Sequence, residues 1–310
     1  MVIVCAAANP SIDRLFEVER LQPGEIHRPS AFAALAGGKG LNVARAVACL
    51  GAEVCAVALI GGNAGRFIAE GLESEGIAAS FAWSEGETRS SLSALDRSAG
   101  TLTEFYEQRE AISSSEWSAF ERGVSGALDG ASWLTLSGSL SPGAPVDGYA
   151  RLIGLAHAAG VRVALDSRGE ALTHGLAAGP DLVKVNLAEA AETLALPVSG
   201  DDAVSAAAAL AAMSPAPQQL VVVTRGAEGA VAIDAAGARW RSRSGGGGPF
   251  SVGSGDAFLA GLVVALERGV PRPLALAVGA GAANAEQRGA GRLDRERAEQ
   301  LAASAEVEPA

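Results

Sequence analysis

The chain has 310 residues, 49% of them hydrophobic, and a formal net charge of −11 at pH 7, enough to bury one large core with at most a small appendage. That acidic balance argues against nucleic acid or an anionic membrane as partner, so any anionic substrate must be met by local positive groups. With no apolar run of spanning length, no basic stretch ahead of Val2-Ile3-Val4, and an odd set of cysteines (Cys5, Cys49, Cys55) in apolar surroundings, the reading is a cytoplasmic protein with reduced core thiols.

In chain order, apolar runs that read as strands alternate with helical stretches, the pattern of a parallel sheet covered by helices. The first strand, Val2 to Ala7, delivers Asn9-Pro10-Ser11-Ile12-Asp13 to a strand end, where open α/β sheets bind ligands. Asp13 is there either a hydroxyl-binding group or a turn former. Two mixed pieces, at about 14–36 and 87–110, break the rhythm and read as a small β lid. Between them Gly37-Gly38-Lys39-Gly40-Leu41-Asn42 opens a helix. It is not a Walker A loop, since Gly40 follows Lys39, and no G-x-G-x-x-G occurs in the chain. The glycines alone could be a tight turn, but Lys39 and Asn42 offer donors for hydroxyls or an anion.

Further strands are expected at 133–136, 162–165, 182–185 and 220–223. They end in Ser137-Gly138-Ser139, in Asp166, in Asn186-Leu187-Ala188-Glu189 and in Thr224-Arg225-Gly226-Ala227-Glu228-Gly229. Asn186 and Glu189, three apart, could hold a water-coordinated Mg²⁺ or simply cap a helix. After the Gly245 to Gly248 run, Val252-Gly253-Ser254-Gly255-Asp256 leads into a helix whose apolar face is Leu259, Leu262, Val263 and Leu266, stopped by Gly269 and Pro271. A helix N-terminus gathers unpaired amides and the positive end of the dipole, which suits phosphoryl oxygens. Asp256 faces that same anion, either as a proton acceptor or as a cap.

The pair Gly37 to Ala44 and Val252 to Phe258, with the intermediate turns in order along nearly the whole chain, resembles the two signatures of the ribokinase-like carbohydrate kinases. The stretches Asn9 to Asp13, Ser137 to Leu140 and Asp166 to Leu172 resemble the branch containing 1-phosphofructokinases and tagatose-6-phosphate kinases. The resemblance implies a three-layer α/β/α domain with a mostly parallel sheet and a β lid, ATP and Mg²⁺ as co-substrates, a sugar-phosphate acceptor, and a homodimer formed through the lids. It makes Asp256 the catalytic base, with Gly253, Ser254 and Gly255 in the anion hole. Asp13, Gly38, Lys39, Asn42, Arg89 and Ser139 would meet the sugar phosphate. Lys184, Asn186, Thr224, Gly226, Gly229 and Asn284 would serve the nucleotide, with Glu189 and Asn186 toward the metal.

Three departures stand out. The branch's Thr-Glu-x-Asn-x-Pro-Gly-Pro is represented only by Thr103-Glu104, followed by Phe105-Tyr106-Glu107-Gln108-Arg109; Arg109 is thereby a second candidate phosphate clamp beside Arg89. Phe250 stands where many relatives carry Asp or Asn, leaving a monovalent-cation site open, and Val185 replaces a proline. Two other readings are a kinase of an unphosphorylated sugar or nucleoside, and a catalytically silent sugar-phosphate sensor.

Overall fold

The computed structural model describes residues 1–195, 202–216 and 219–310. Strand β1 (Val2–Ala7) shows why the core divides in two: period-2 alternation sends Ile3, Cys5 and Ala7 to one face and Val4 and Ala6 to the other, all buried. A strand apolar on both faces must be covered on both. The chain then forms β2 (Ser11–Val18) and β3 (Ala31–Gly37), helix α1 (Lys39–Cys49), β4 (Val54–Gly61), α2 (Gly62–Ser74) and β5 (Ala78–Ser84). A second excursion gives β6 (Ser90–Asp96) and β7 (Thr101–Tyr106). The strand–helix rhythm resumes with α3 (Ser114–Ala127), β8 (Ala131–Ser137), α4 (Gly148–Ala158), β9 (Arg162–Asp166), α5 (Gly169–Ala177), β10 (Leu182–Asn186), α6 (Leu187–Leu194), α7 (Ala203–Ala212) and β11 (Leu220–Thr224). The last third holds β12 (Ala230–Asp234), β13 (Arg239–Arg243), α8 (Ser254–Glu267), α9 (Pro273–Ala285), α10 (Arg295–Ala303) and β14 (Glu306–Pro309).

Among the described residues the main sheet has ten strands, ordered β14-β13-β12-β11-β10-β9-β8-β1-β4-β5, parallel from β11 to β5 with three antiparallel strands at the other edge. One layer packs α1, α2, α8, α9 and α10 on it; the other packs α3, α4, α5, α6 and α7. This is the three-layer α/β/α arrangement expected. Helices α8 and α9 are buried on nearly every side and approach closely at Gly261, where a Cβ would lie 2.8 Å from the Leu276 carbonyl oxygen.

The second sheet, ordered β3-β2-β6-β7, is the lid. Each mixed piece of sequence supplies an antiparallel hairpin, β2–β3 and β6–β7, and the two join through parallel pairing of β2 with β6. Asp13 lies within β2 and not in a turn. The lid is held down by Arg288, which pairs with the buried Glu17 of β2 and lies 5.7 Å over the Phe250 ring. No helix among the described residues is long and apolar enough to cross a membrane.

Candidate active site

Parallel strands place their C-terminal ends along one edge, so the turns after β1, β8, β9, β10 and β11 line up. The order reverses between β1, which continues to β4 and β5, and β8, which begins the run to β11, and ligands bind at such a switch point. Asn9 Nδ2 donates to Ser139 Oγ at 3.1 Å across that seam. From Asn9 to Thr224 is four strand spacings, about 19 Å, room for an extended ligand.

The turn before α8 is built by glycine. Gly253 has φ 80°, and a Cβ there would lie 2.6 Å from Ala290 Cα. Ser254 N–H, expected in the anion hole, already donates to the Ser251 carbonyl at 3.1 Å. The N–H groups of Gly255 and Asp256 find no protein acceptor among the described residues. Gly255 is pressed against Lys184, whose Nζ would be 2.9 Å from a Cβ. Lys184, expected at the nucleotide, therefore lies beneath the turn. Asn284, also expected there, is fully buried; its Nδ2 donates to the Val252 carbonyl at 2.9 Å and Ser254 Oγ at 3.2 Å, and its Oδ1 accepts from Gly291 N–H at 2.8 Å. It shapes the turn from behind.

Asp256 is 5% exposed and accepts from Asn42 Nδ2 at 2.9 Å. Burial pushes its pKa up to about 7, with Asp166 adding to the rise and Lys39, Lys184 and Asn42 opposing it. Beside it runs a chain of charges. Lys39 Nζ donates to Asp166 Oδ1 at 2.8 Å and Glu189 Oε1 at 2.7 Å, and Lys184 Nζ donates to Asp166 Oδ2 at 2.6 Å. Burial alone would lower the Lys39 pKa, but the carboxylates of Asp166, Glu189 and Asp256 hold it above its ordinary value. Burial alone would raise that of Asp166, and the two ammoniums hold it down.

Asn186 and Glu189 form a capping box for α6: Asn186 Oδ1 accepts from Glu189 N–H and Glu189 Oε2 from Asn186 N–H, both at 2.8 Å. Among the described residues no group of three or more His, Cys, Asp or Glu side chains gathers to hold a metal ion. These hard oxygens, already hydrogen-bonded, fit a cation that keeps its waters and takes its other ligands from phosphate. One strand further, Thr224 Oγ1 donates to the Val185 carbonyl at 3.3 Å, and Gly226 and Gly229 turn the chain with φ 60° and 87°. A side chain at Gly229 would collide with the Ser242 carbonyl.

At the end of the cleft where the sequence expects the sugar, Asp13 is held in one orientation. Oδ2 accepts from Gly38 N–H at 3.0 Å, and Oδ1 accepts from Ser11 Oγ at 2.5 Å and Ser91 Oγ at 2.7 Å. Gly38, with φ 86°, packs its backbone on Pro10. Arg89 Nε and Nη2 donate to Asn9 Oδ1 and its carbonyl, each at 3.3 Å, which sets the guanidinium at the β1 seam. Arg109 is a correction to the sequence expectation. It is 6% exposed, beyond the end of β7; its Nη1 donates to the Leu59 carbonyl at 3.1 Å and Ser141 Oγ at 3.3 Å and its Nη2 to Ser84 Oγ at 2.6 Å, while its buried Nε has no partner among the described residues. A guanidinium buried in the body has no clamp to offer. Sequence reasoning assigned no role to Ser91 or to Asp166 as the bridge between two lysines; the signals were a polar residue in an alternating strand and a carboxylate at a strand end.

Comparison with known proteins finds relatives along nearly the whole chain. The family profile described as pfkB family carbohydrate kinase matches residues 1–296. A 1-phosphofructokinase of Xanthomonas campestris pv. campestris is 36% identical over 274 residues, covering 85% of this chain and 83% of that protein. Crystal structures of phosphofructokinase-2 from Escherichia coli, 27% identical, superpose over 98% of this chain: in complex with substrates and products, TM-score 0.87 over 99% of that chain, and in complex with potassium, TM-score 0.86 over 98%.

Proposed function

We propose, on the premise that this chain belongs to the pfkB family of carbohydrate kinases, that it transfers the γ-phosphoryl group of ATP to a hydroxyl of a phosphorylated ketohexose. Fructose 1-phosphate, tagatose 6-phosphate and fructose 6-phosphate are the first candidates; the curated relative is a 1-phosphofructokinase and the solved one a phosphofructokinase with its substrates and products. The observation that carries the reading is the buried carboxylate of Asp256 at the head of α8, beside two unpaired helix-terminal N–H groups and joined by Asn42 to the helix whose start binds Asp13.

The chemistry follows from charge and position. Asp13, fixed by three donors, accepts sugar hydroxyls, and Arg89 meets the phosphate already present. Asn42 aims the Asp256 carboxylate, which takes the proton of the attacking hydroxyl. The N–H groups of Gly255 and Asp256, the α8 dipole and the Lys184 ammonium beneath Gly255 stabilise the negative charge of the group in transfer. The nucleotide runs along Asn186, Thr224, Gly226 and Gly229. Asn186 and Glu189 would hold a Mg²⁺ ion through its waters, and that ion would supply neutralisation of the phosphates. Lid closure keeps water from the γ-phosphate.

Phe32 and Phe105 are 77% and 58% exposed, and by register both lie on the lid's outer face, the surface through which two copies would pair. A cytoplasmic setting fits the free thiols of Cys5, Cys49 and Cys55.

The test is sugar-dependent ADP release over a panel of hexose phosphates, with free fructose, ribose and a nucleoside alongside. A ketohexose phosphate is expected to be preferred. Preference for an unphosphorylated acceptor would overturn the substrate class, and binding of a sugar phosphate without turnover would show a silent sensor.

A further inference from the structure

The lid carries one large side chain that its own packing does not explain. Tyr106, the last residue of edge strand β7, is 63% exposed, yet register fixes the way it points. Asp13 of β2 pairs with Ser91 of β6, and Ser91 pairs with Tyr106. Residues directly opposite across a sheet share a face. That face is the inner one, because Asp13 accepts from Gly38 of the body and from Ser91 of the lid. Tyr106 therefore stands in one row with the groups that frame the sugar end of the cleft.

Its hydroxyl is tethered. Tyr106 OH donates to Glu104 Oε1 at 2.8 Å, and the same oxygen accepts from Ser93 Oγ at 3.3 Å, the next row on that face. Partial burial, the hydrogen bond to Glu104 and the charges of Glu104 and Asp13 raise the Tyr106 pKa, while Arg89 opposes the rise. The phenol is thus within electrostatic reach of both Asp13 and Arg89. A ring held by its polar tip along the strand, and 63% exposed, leaves an apolar face uncovered.

We propose that Tyr106 is a substrate-contacting specificity residue: its ring forms the lid wall of the sugar subsite and packs on the carbon face of the sugar, with Glu104 as the positioning residue that holds the ring. The proposal rests on the sugar-phosphate reading above. The carboxylates of Asp13, Glu104 and Glu107 surround this end of the lid and leave Arg89 as the cation beside them, so the phosphate is drawn to Arg89 and the carbon skeleton to the phenol. A sugar has one face rich in C–H groups, which an aromatic wall accepts and a carboxylate does not.

The test is steady-state kinetics together with calorimetric binding of the preferred sugar phosphate to wild type, Tyr106→Ala, Tyr106→Phe and Glu104→Ala. Loss of a packed ring should raise both KM and Kd for the sugar phosphate about 10-fold in Tyr106→Ala, with the KM for ATP moving less than about twofold. Tyr106→Phe keeps the ring but not the tether, and should give a rise of about threefold, matched by Glu104→Ala, which removes the acceptor. Because the side chain is exposed, its truncation opens no core cavity, and an unchanged melting temperature confirms the fold. A sugar-phosphate Kd within about twofold of wild type in Tyr106→Ala would overturn the proposal. So would equal rises in the KM for sugar and for ATP, which mean a loosened lid, or a Tyr106→Phe as impaired as Tyr106→Ala, which means that the hydroxyl makes the contact. A wild type that neither binds nor phosphorylates any sugar phosphate would instead overturn the functional reading beneath it.

Discussion

Asp256 must be a carboxylate to accept a proton, and burial holds its pKa at about 7. The rate should therefore rise with pH through about 7, and Asp256→Asn should lose that limb of the pH profile together with about 10²-fold or more in kcat. The same shift works against stability. Its folded pKa lies above the unfolded value, so the folded state binds the proton more tightly and stability falls as pH rises from the ordinary carboxylate range to about 7. Asp256→Asn should accordingly melt at or above the wild-type temperature at pH 8, and a lower melting temperature there would show that the carboxylate is held by interactions that outweigh its desolvation. The two arginines separate in the same way. Arg89→Ala should cost roughly 1.5–3 kcal/mol in kcat/KM for the sugar phosphate, the worth of a charged hydrogen bond, and little on an unphosphorylated sugar. Arg109→Ala should instead cost about 3 kcal/mol of unfolding free energy, because the Leu59 carbonyl and two serine hydroxyls lose a buried donor, and leave the sugar KM close to wild type.

At the scale of elements, the heads of α1, α6 and α8 converge on one cleft, tied by Lys39 to Glu189 and by Asn42 to Asp256. If α6 organises Mg²⁺ through water, Glu189→Gln should raise the Mg²⁺ concentration for half-maximal rate without changing which sugar is preferred. A shift in sugar preference at unchanged Mg²⁺ dependence would confine Glu189 to its capping box and its pair with Lys39. The glycine turns and the strand–helix alternation are legible in the sequence because their signals are local: a helical period behind Gly255, an apolar run before Asn9. The lid hairpins are legible as interruptions of that rhythm, but the parallel joint between β2 and β6 is not, since nothing local encodes pairing across 78 residues, the separation of Asp13 and Ser91. For the same reason the sequence does not show that Asp166, 127 residues from Lys39, is its partner. Arg109 misled because its position after a family motif says nothing of its burial, which depends on β4, β5 and the turn at Ser141.

For the whole molecule, the small sheet has two unlike faces. Its inner face carries Asp13, which accepts from Gly38 of the body, and its outer face leaves Phe32 and Phe105 in solvent. If that surface joins two copies, Phe32→Glu should convert a dimer to a monomer in light scattering, since a carboxylate in an apolar interface is costly to desolvate, while the melting of the body stays near wild type. An unchanged mass would place any interface elsewhere. The account as a whole stands on phosphoryl transfer to a sugar phosphate by a body whose base is Asp256. Phosphorus NMR of wild type and Asp256→Asn, each incubated with ATP, Mg²⁺ and the preferred ketohexose phosphate, tests it most directly. The account predicts equal amounts of ADP and a ketohexose bisphosphate from wild type and next to none from the variant; ADP with free phosphate and no bisphosphate, or a variant as productive as wild type, would contradict it.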